Sequence, residues 1–185
     1  YWPGIALIPA NLGLYDAEYE FAARMARDST FVLDRLRNGI ESIKDNFDVI
    51  LLDPPPALGM LSLSVLRAAN ALVIPAPPNN IDFGSTAHFL KMMGATLEEL
   101  ARAGGARDYS FVKILATKMN DAKSAHQAIK RMMDAVFPMD MMGAVLKDSA
   151  EIDNAAANLS TVYEMTGPGT RTETHKRCRA YLDAV

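Results

Sequence analysis

Residues Phe47–Gly59 read FDVILLDPPPALG, and this stretch decides the fold. Val49–Leu52 is a continuous apolar run that ends in a carboxylate, Asp53. Pro54, Pro55 and Pro56 follow, and none of them can donate to a sheet ladder. A short apolar run closed by breakers reads as a strand over 48–53, buried on both faces as in a parallel sheet. Asp53 then lies at the carboxyl end of a buried strand, where open α/β sheets bind ligands. A carboxylate in that position can hold Mg²⁺, or its water, beside a nucleotide phosphate. It can instead cap the next turn or helix, and the stretch alone leaves both readings open.

Outward from this stretch, the pattern alternates. Upstream, Gly4–Ala10 reads as a strand ended by Pro9, and Asp16 as the N-cap of a helix to about Ala26. Phe31, Leu33, Leu36, Ile40 and Ile43 recur at helical spacing with charges between them, which predicts an amphipathic helix. Downstream, Met60–Ala69 reads as a helix and Ala71–Ile74 as a strand ended by Pro75. Asp82 or Ser85 caps a long helix to about Ala103, before a Gly104-Gly105 loop with Arg107. Phe111–Ala116 is a strand, Thr117–Asp121 its terminal loop and Ala125–Phe137 a helix. Met139–Leu146 contains a short strand, with Lys147–Ser149 as its terminal loop; Ser149 or Asp153 caps a short helix. Gly167-Pro168-Gly169 breaks the chain before a last helix from about Thr172 to Ala184. Strands alternating with helices imply right-handed crossovers and a mostly parallel sheet flanked by helices, an α/β fold.

The 185 residues fit a single domain, 1–185, large enough for a real core. Half of them are apolar and the net charge is −3, which does not suggest disorder and leaves any DNA contact to a local patch. The single cysteine, Cys178, excludes an internal disulfide and fits a reducing cytoplasm. No apolar stretch approaches a membrane span, and no signal peptide is visible. The chain opens on Tyr-Trp-Pro inside what reads as a strand, so it is expected to be a piece of a longer protein. His88, His126 and His175 have no metal-ligand spacing with the cysteine and read as surface or packing residues.

The segment DPPPALG, followed by LSLSVLRAANALVIPAPPNNIDFGSTAHFL, resembles the ParA family of deviant-Walker ATPases. The branch it is most similar to is that of the RepA partition ATPases of alphaproteobacterial repABC-type plasmids. The resemblance continues through IPANLGLYDAEYE near the start, TKMND at 117–121, VLKDSAEIDNAA from Val145 and STVYEM at 160–165. It implies a P-loop NTPase-like fold of the deviant-Walker class and hydrolysis of ATP with Mg²⁺. It also implies a cytoplasmic, nucleoid-associated homodimer, off the membrane, that binds DNA non-specifically. A centromere-binding partner of the ParB/RepB type would stimulate its turnover.

The resemblance also assigns residues. Asp53 is the Walker B carboxylate, catalytic and a holder of Mg²⁺ through the metal's bound water. Gly59 belongs to the turn that senses the γ-phosphate, or is an ordinary turn glycine that permits backbone shapes closed to other residues. Thr117, Lys118, Asn120 and Asp121 fall where the family recognises the base, with Lys147 and Asp148 on a second wall. The Asn120 amide can donate to and accept from a purine edge, or simply form an Asx-turn or N-cap. Lys130, Arg131, Lys147, Arg171, Lys176, Arg177 and Arg179 match regions that the family uses on DNA, and are otherwise a solvated face. Two departures stand out. Pro54 stands where Cys, Ser or Thr is more usual, and the KGGxGK loop followed by Ser or Thr is not in these residues. Its strand would lie mid-sheet beside 48–53, so the fold is expected to lack the phosphate-loop strand and helix. These residues alone should not hydrolyse ATP. An interaction module without hydrolysis, and a MinD-like membrane-cycling ATPase, are the alternatives. The ending HKRCRAYLDAV is too short and too weakly apolar to favour the latter.

Overall fold

The computed structural model describes residues 3–25, 27, 29–55, 57–102, 108–165 and 173–185. Pro56, Gly104-Gly105, Arg107, Gly167-Pro168-Gly169, Arg171 and Thr172, all singled out above, lie outside the described residues. The chain divides into two compact units, residues 1–70 with 100–108, and residues 71–99 with 109–185.

In the first unit the helical periodicities are realised. Helix α1 is Leu14–Met25, α2 is Ser29–Glu41 and α3 is Met60–Ala68, with a 3-10 turn at Lys44–Asn46. Helix α2 buries Val32 and Leu33, and α3 buries Leu66 and Ala68 together with the small polar Ser62 and Ser64. Arg67 on α3 grips Asp34 on α2 through two N–H groups, Nε to Oδ1 at 2.7 Å and Nη2 to Oδ2 at 3.3 Å. Both side chains are largely out of water, and such a forked, charge-assisted pair fixes orientation as well as energy.

The two strands expected here do not form. Residues 5–10 and 49–55 have irregular backbone with no ladder. Ile8, Val49 and Leu51 are 88%, 72% and 89% exposed. A strand exists only where a neighbour takes its N–H and C=O groups. Among the described residues neither run has such a neighbour. Asp53 is accordingly an exposed loop carboxylate here, not the end of a buried strand.

The second unit contains the sheet. Strands β1 (Ala71–Ala76), β2 (Phe111–Met119) and β3 (Met141–Lys147) lie in the order β1-β2-β3, and both pairs are parallel. Helices α4 (Asn80–Leu100), α5 (Ser124–Val136), α6 (Ala150–Ala157) and α7 (Glu173–Asp183) accompany them, as expected of a parallel α/β architecture. Pro75 does not end β1 but pairs with Leu115, one residue before the end of the strand. Proline is tolerated because β1 is an edge strand, where a missing donor need not face a neighbour. The cap of α4 is Asn79, not Asp82 or Ser85. Asn79 Oδ1 accepts from the Asp82 N–H at 2.9 Å, and the Asn79 amide donates back to the Asp82 carboxylate, a reciprocal box at the helix start. Ser149 caps α6, its Oγ accepting from the Glu151 N–H at 3.3 Å. On α7, Cys178 packs with Ala155 and Val162. His175, also buried, donates from Nε2 to the Val162 carbonyl at 2.9 Å. Among the described residues, no helix is long and apolar enough to cross a membrane.

The hydrogen bond from Arg67 holds the Asp34 carboxyl below its usual range; burial opposes this, and the charges of Arg67 and Arg37 add to it. A carboxyl whose pKa is lower folded than unfolded stabilises the fold above the unfolded value, about 3.9. That contribution fades as the pH falls through 3.9 toward the lower folded value. Replacing Asp34→Asn should therefore cost about 1.5–3 kcal/mol at pH 7, the range for a hydrogen bond to a charged group. The deficit should shrink at pH 3. Urea unfolding at both pH values measures it, and an equal deficit at both would refute the ion-pair account.

Candidate functional site

In the first unit the loop from Asp53 to Gly59 is tied down at two places. Ser62 Oγ sits within 2.5 Å of the Ala57 carbonyl and 3.3 Å of the Pro55 carbonyl, to which its hydroxyl donates. Glu18, reaching from α1, accepts the first two N–H groups of α3, Met60 at 2.5 Å and Leu61 at 3.0 Å. A carboxylate at a helix N-terminus satisfies orphan donors and opposes the positive end of the dipole. Gly59 is the N-cap, with φ −91° and ψ −172°, an extended conformation open to any residue. Its backbone freedom is not what the position requires. A Cβ there would run into Glu18 Oε1, so the glycine makes room for the carboxylate. Asp53 itself is exposed and makes no hydrogen bond or ion pair among the described residues.

In the second unit the parallel sheet brings 117–121 and 147–148 together. Strand β2 runs on to Met119, three residues beyond the expected end, with an irregular register between Ala116 and Met119. Within that irregularity Lys118 takes φ 52°, the left-handed region that non-glycine residues enter rarely, and its side chain is exposed. Lys147 Nζ meets both carboxylate oxygens of Asp121, at 2.6 and 2.7 Å, and the Asp148 N–H donates to the Met119 carbonyl at 2.9 Å. Asn120 forms the Asx-turn: its Oδ1 accepts from the Ala122 N–H at 3.0 Å. The Asn120 N–H in turn donates to His126 Nδ1 at 3.3 Å. An open depression beside this turn is lined by Asn79, Asp82, Lys123, Ser124 and His126. Thr117 is half-buried within the strand.

The basic residues differ in their state. Lys130 is paired with Asp134 at 2.6 Å, Lys176 with Glu173 at 2.8 Å and Lys147 with Asp121. The Arg179 guanidinium stacks 5.0 Å from the centre of the Tyr163 ring. Arg131 and Arg177 are exposed and have no ion-pair partner among the described residues. Glu18, Ser62 and His126 were not singled out as site residues in the sequence. Glu18 lies inside IPANLGLYDAEYE, yet nothing in its spacing connects it to a helix 42 residues on.

If Asn120 serves chiefly as a turn former, Asn120→Asp keeps the acceptor and should leave the thermal midpoint nearly unchanged. Asn120→Ala should cost about 1 kcal/mol. Equal losses in both variants, by thermal denaturation, would contradict this.

Comparison with known proteins supplies the family. The AAA domain family matches residues 2–102. A putative replication protein A of Sinorhizobium fredii is 26% identical over 188 residues, spanning 100% of this chain and 46% of that protein. The chain thus spans about half the length of a curated relative that it matches. A solved structure described as a partition protein superposes with a TM-score of 0.71 at 23% identity, covering 98% of this chain and 48% of that one. A Cyanothece McdA variant solved in complex with ATP gives a TM-score of 0.70 at 19% identity, covering 96% of this chain and 65% of that one. The two structural likenesses establish the fold, and the sequence matches run through the segments quoted at the outset. The chain belongs to the AAA domain family, and it is similar over its whole length to the replication protein A relatives.

Proposed function

We propose that the protein carrying this chain is an ATP-dependent partition ATPase that segregates DNA. It dimerises, binds DNA without sequence preference, and has its turnover stimulated by a centromere-binding partner of the ParB/RepB type. The observation that carries this reading is that family membership coincides with two linked loops at the carboxyl ends of parallel strands. Open α/β sheets place ligands at those ends.

The donor set fits the nucleotide in part. Asn120 Oδ1 is committed to its turn, which leaves the amide N–H groups for a base acceptor. The 117–121 and 147–148 loops are held together by the Lys147–Asp121 pair, so a base contact there meets an organised surface. Mg²⁺ in phosphate sites takes one or two carboxylates and completes its shell with phosphate oxygens and water. Asp53, exposed and without a partner among the described residues, suits that one-carboxylate role. Among the described residues, no group of three or more His, Cys, Asp or Glu side chains is placed to hold a metal without phosphate. Bound Mg-ATP would supply the scissile phosphoanhydride and the neutralising metal charge. The KGGxGK segment is not among the 185 residues.

In the full-length protein, Asp53→Ala should lower ATP turnover by at least about 10²-fold, the scale for losing one charge-stabilising group. Its thermal midpoint should stay within a degree or two of wild type, about the shift expected of a surface change. Wild-type turnover in this variant would sink the assignment.

DNA binding gives a second test. Each phosphate contact contributes about 0.9 to the slope of log K against log salt. Replacing Arg131→Ala and Arg177→Ala together should flatten that slope by up to about 2. Lys130→Ala with Lys176→Ala should change it less, because both lysines are already balanced by neighbouring carboxylates. An unchanged slope in the arginine pair would place the DNA surface elsewhere.

A further inference from the structure

We propose that Glu18 is a positioning residue for the loop that presents Asp53, a role that rests on the partition-ATPase reading. Four hydrogen bonds and one steric constraint among the described residues of unit one carry it. Glu18 places one carboxylate oxygen on the Met60 N–H and the other on the Leu61 N–H. Those are the first two amides of α3, directly after Gly59. The same carboxylate fills the space that a side chain at residue 59 would need, its Oε1 and Cδ standing where a Cβ would go. Ser62, one residue beyond Leu61 and buried, fastens the Pro55 and Ala57 carbonyls to the same helix.

The loop is therefore referred to the start of α3 at both of its ends. Ser62 holds Pro55 and Ala57, Glu18 holds Met60 and Leu61, and Asp53 lies two residues before the first tether. The carboxylate of Glu18 comes from α1, 42 residues away in sequence from Met60. It ties α1 to the start of α3, where the loop ends. A neutral N-cap on residue 59 itself could satisfy one amide. It could not fix α1 against the loop. A charged, two-oxygen acceptor arriving from another helix does both.

The expected effects separate positioning from plain stabilisation. In the full-length protein, Glu18→Ala should speed hydrogen exchange at the Met60 and Leu61 amides by at least about tenfold. ATP kcat should fall about tenfold while KM for ATP moves less than about twofold, because a displaced carboxylate affects the chemical step more than ground-state binding. Glu18→Gln keeps one neutral acceptor and should recover part of both. Gly59→Ala should expel the Glu18 carboxylate, so the double variant Gly59→Ala with Glu18→Ala should be no slower than Gly59→Ala alone. If Glu18→Ala does not fold, Glu18→Gln carries the same comparisons. Unchanged exchange and kcat in the Glu18 variants, with wild-type turnover normal, overturns the positioning role alone. Full additivity in the cycle overturns it as well. Absence of turnover in the wild-type protein with its partner and DNA overturns the ATPase reading, and the catalytic role of Glu18 with it.

Discussion

The parallel pairing of β2 on both of its edges is the constraint from which the organised half of the molecule follows. Ile114, Leu115 and Ala116 are consecutive and all buried. Neighbouring residues of a strand point to opposite faces, so β2 is covered on both sides. Each of Ile114 and Leu115, if fully buried, contributes about 1.5–3 kcal/mol from removal of apolar surface. Parallel partners cannot be joined by a tight turn, so α4 and α5 must intervene as crossovers. Parallel pairing also puts the carboxyl ends of β2 and β3 at one edge. That is why Lys147 can reach Asp121 and why the Asp148 N–H can reach the Met119 carbonyl. In an antiparallel pair the same two loops would lie at opposite ends.

What was legible in the sequence was whatever depends on local pattern. Among the described residues, the seven helices and the three strands of the sheet follow from apolar periodicity and breakers, and their observed bounds depart from the reading by a few residues. The runs at 4–10 and 48–53 failed for a different reason. Their apolar content states a preference for a ladder, but the ladder is a property of two chain segments, and the second is not found among the described residues. Pro75 shows the reverse case. Local chemistry says stop, and edge position overrides it because the lost donor has no partner to disappoint. The box between Asn79 and Asp82 was within reach of the sequence, since an Asn followed three residues later by an acid is a start signal.

The electrostatic surface could be counted from the sequence but not weighed. Seven basic residues were marked for DNA, yet three are spent on nearby carboxylates and one stacks on Tyr163. Exposed pairs of this kind are worth about 0–1 kcal/mol. They are therefore no obstacle to a polyanion, but a phosphate that captures such a lysine must first leave a carboxylate uncompensated beside it. Arg131 and Arg177 carry no such cost. The charge available to a polyanion is thus smaller and differently placed than a list of Lys and Arg suggests.

Gly59 shows how the physical reason for a glycine can differ from the one its local sequence suggests. A glycine after a proline-rich turn invites the argument from backbone freedom, but φ −91° needs no such freedom. The requirement is steric, and its source lies on another helix. Because the Glu18 carboxylate sits where a Cβ would stand, the identity of residue 59 and that of residue 18 are parts of one constraint. Any side chain at 59 must push the carboxylate off the amides of α3, and any shorter side chain at 18 leaves both the amides and the space unfilled. The effects of changing the two residues are therefore coupled, and neither can be read from the local sequence around it.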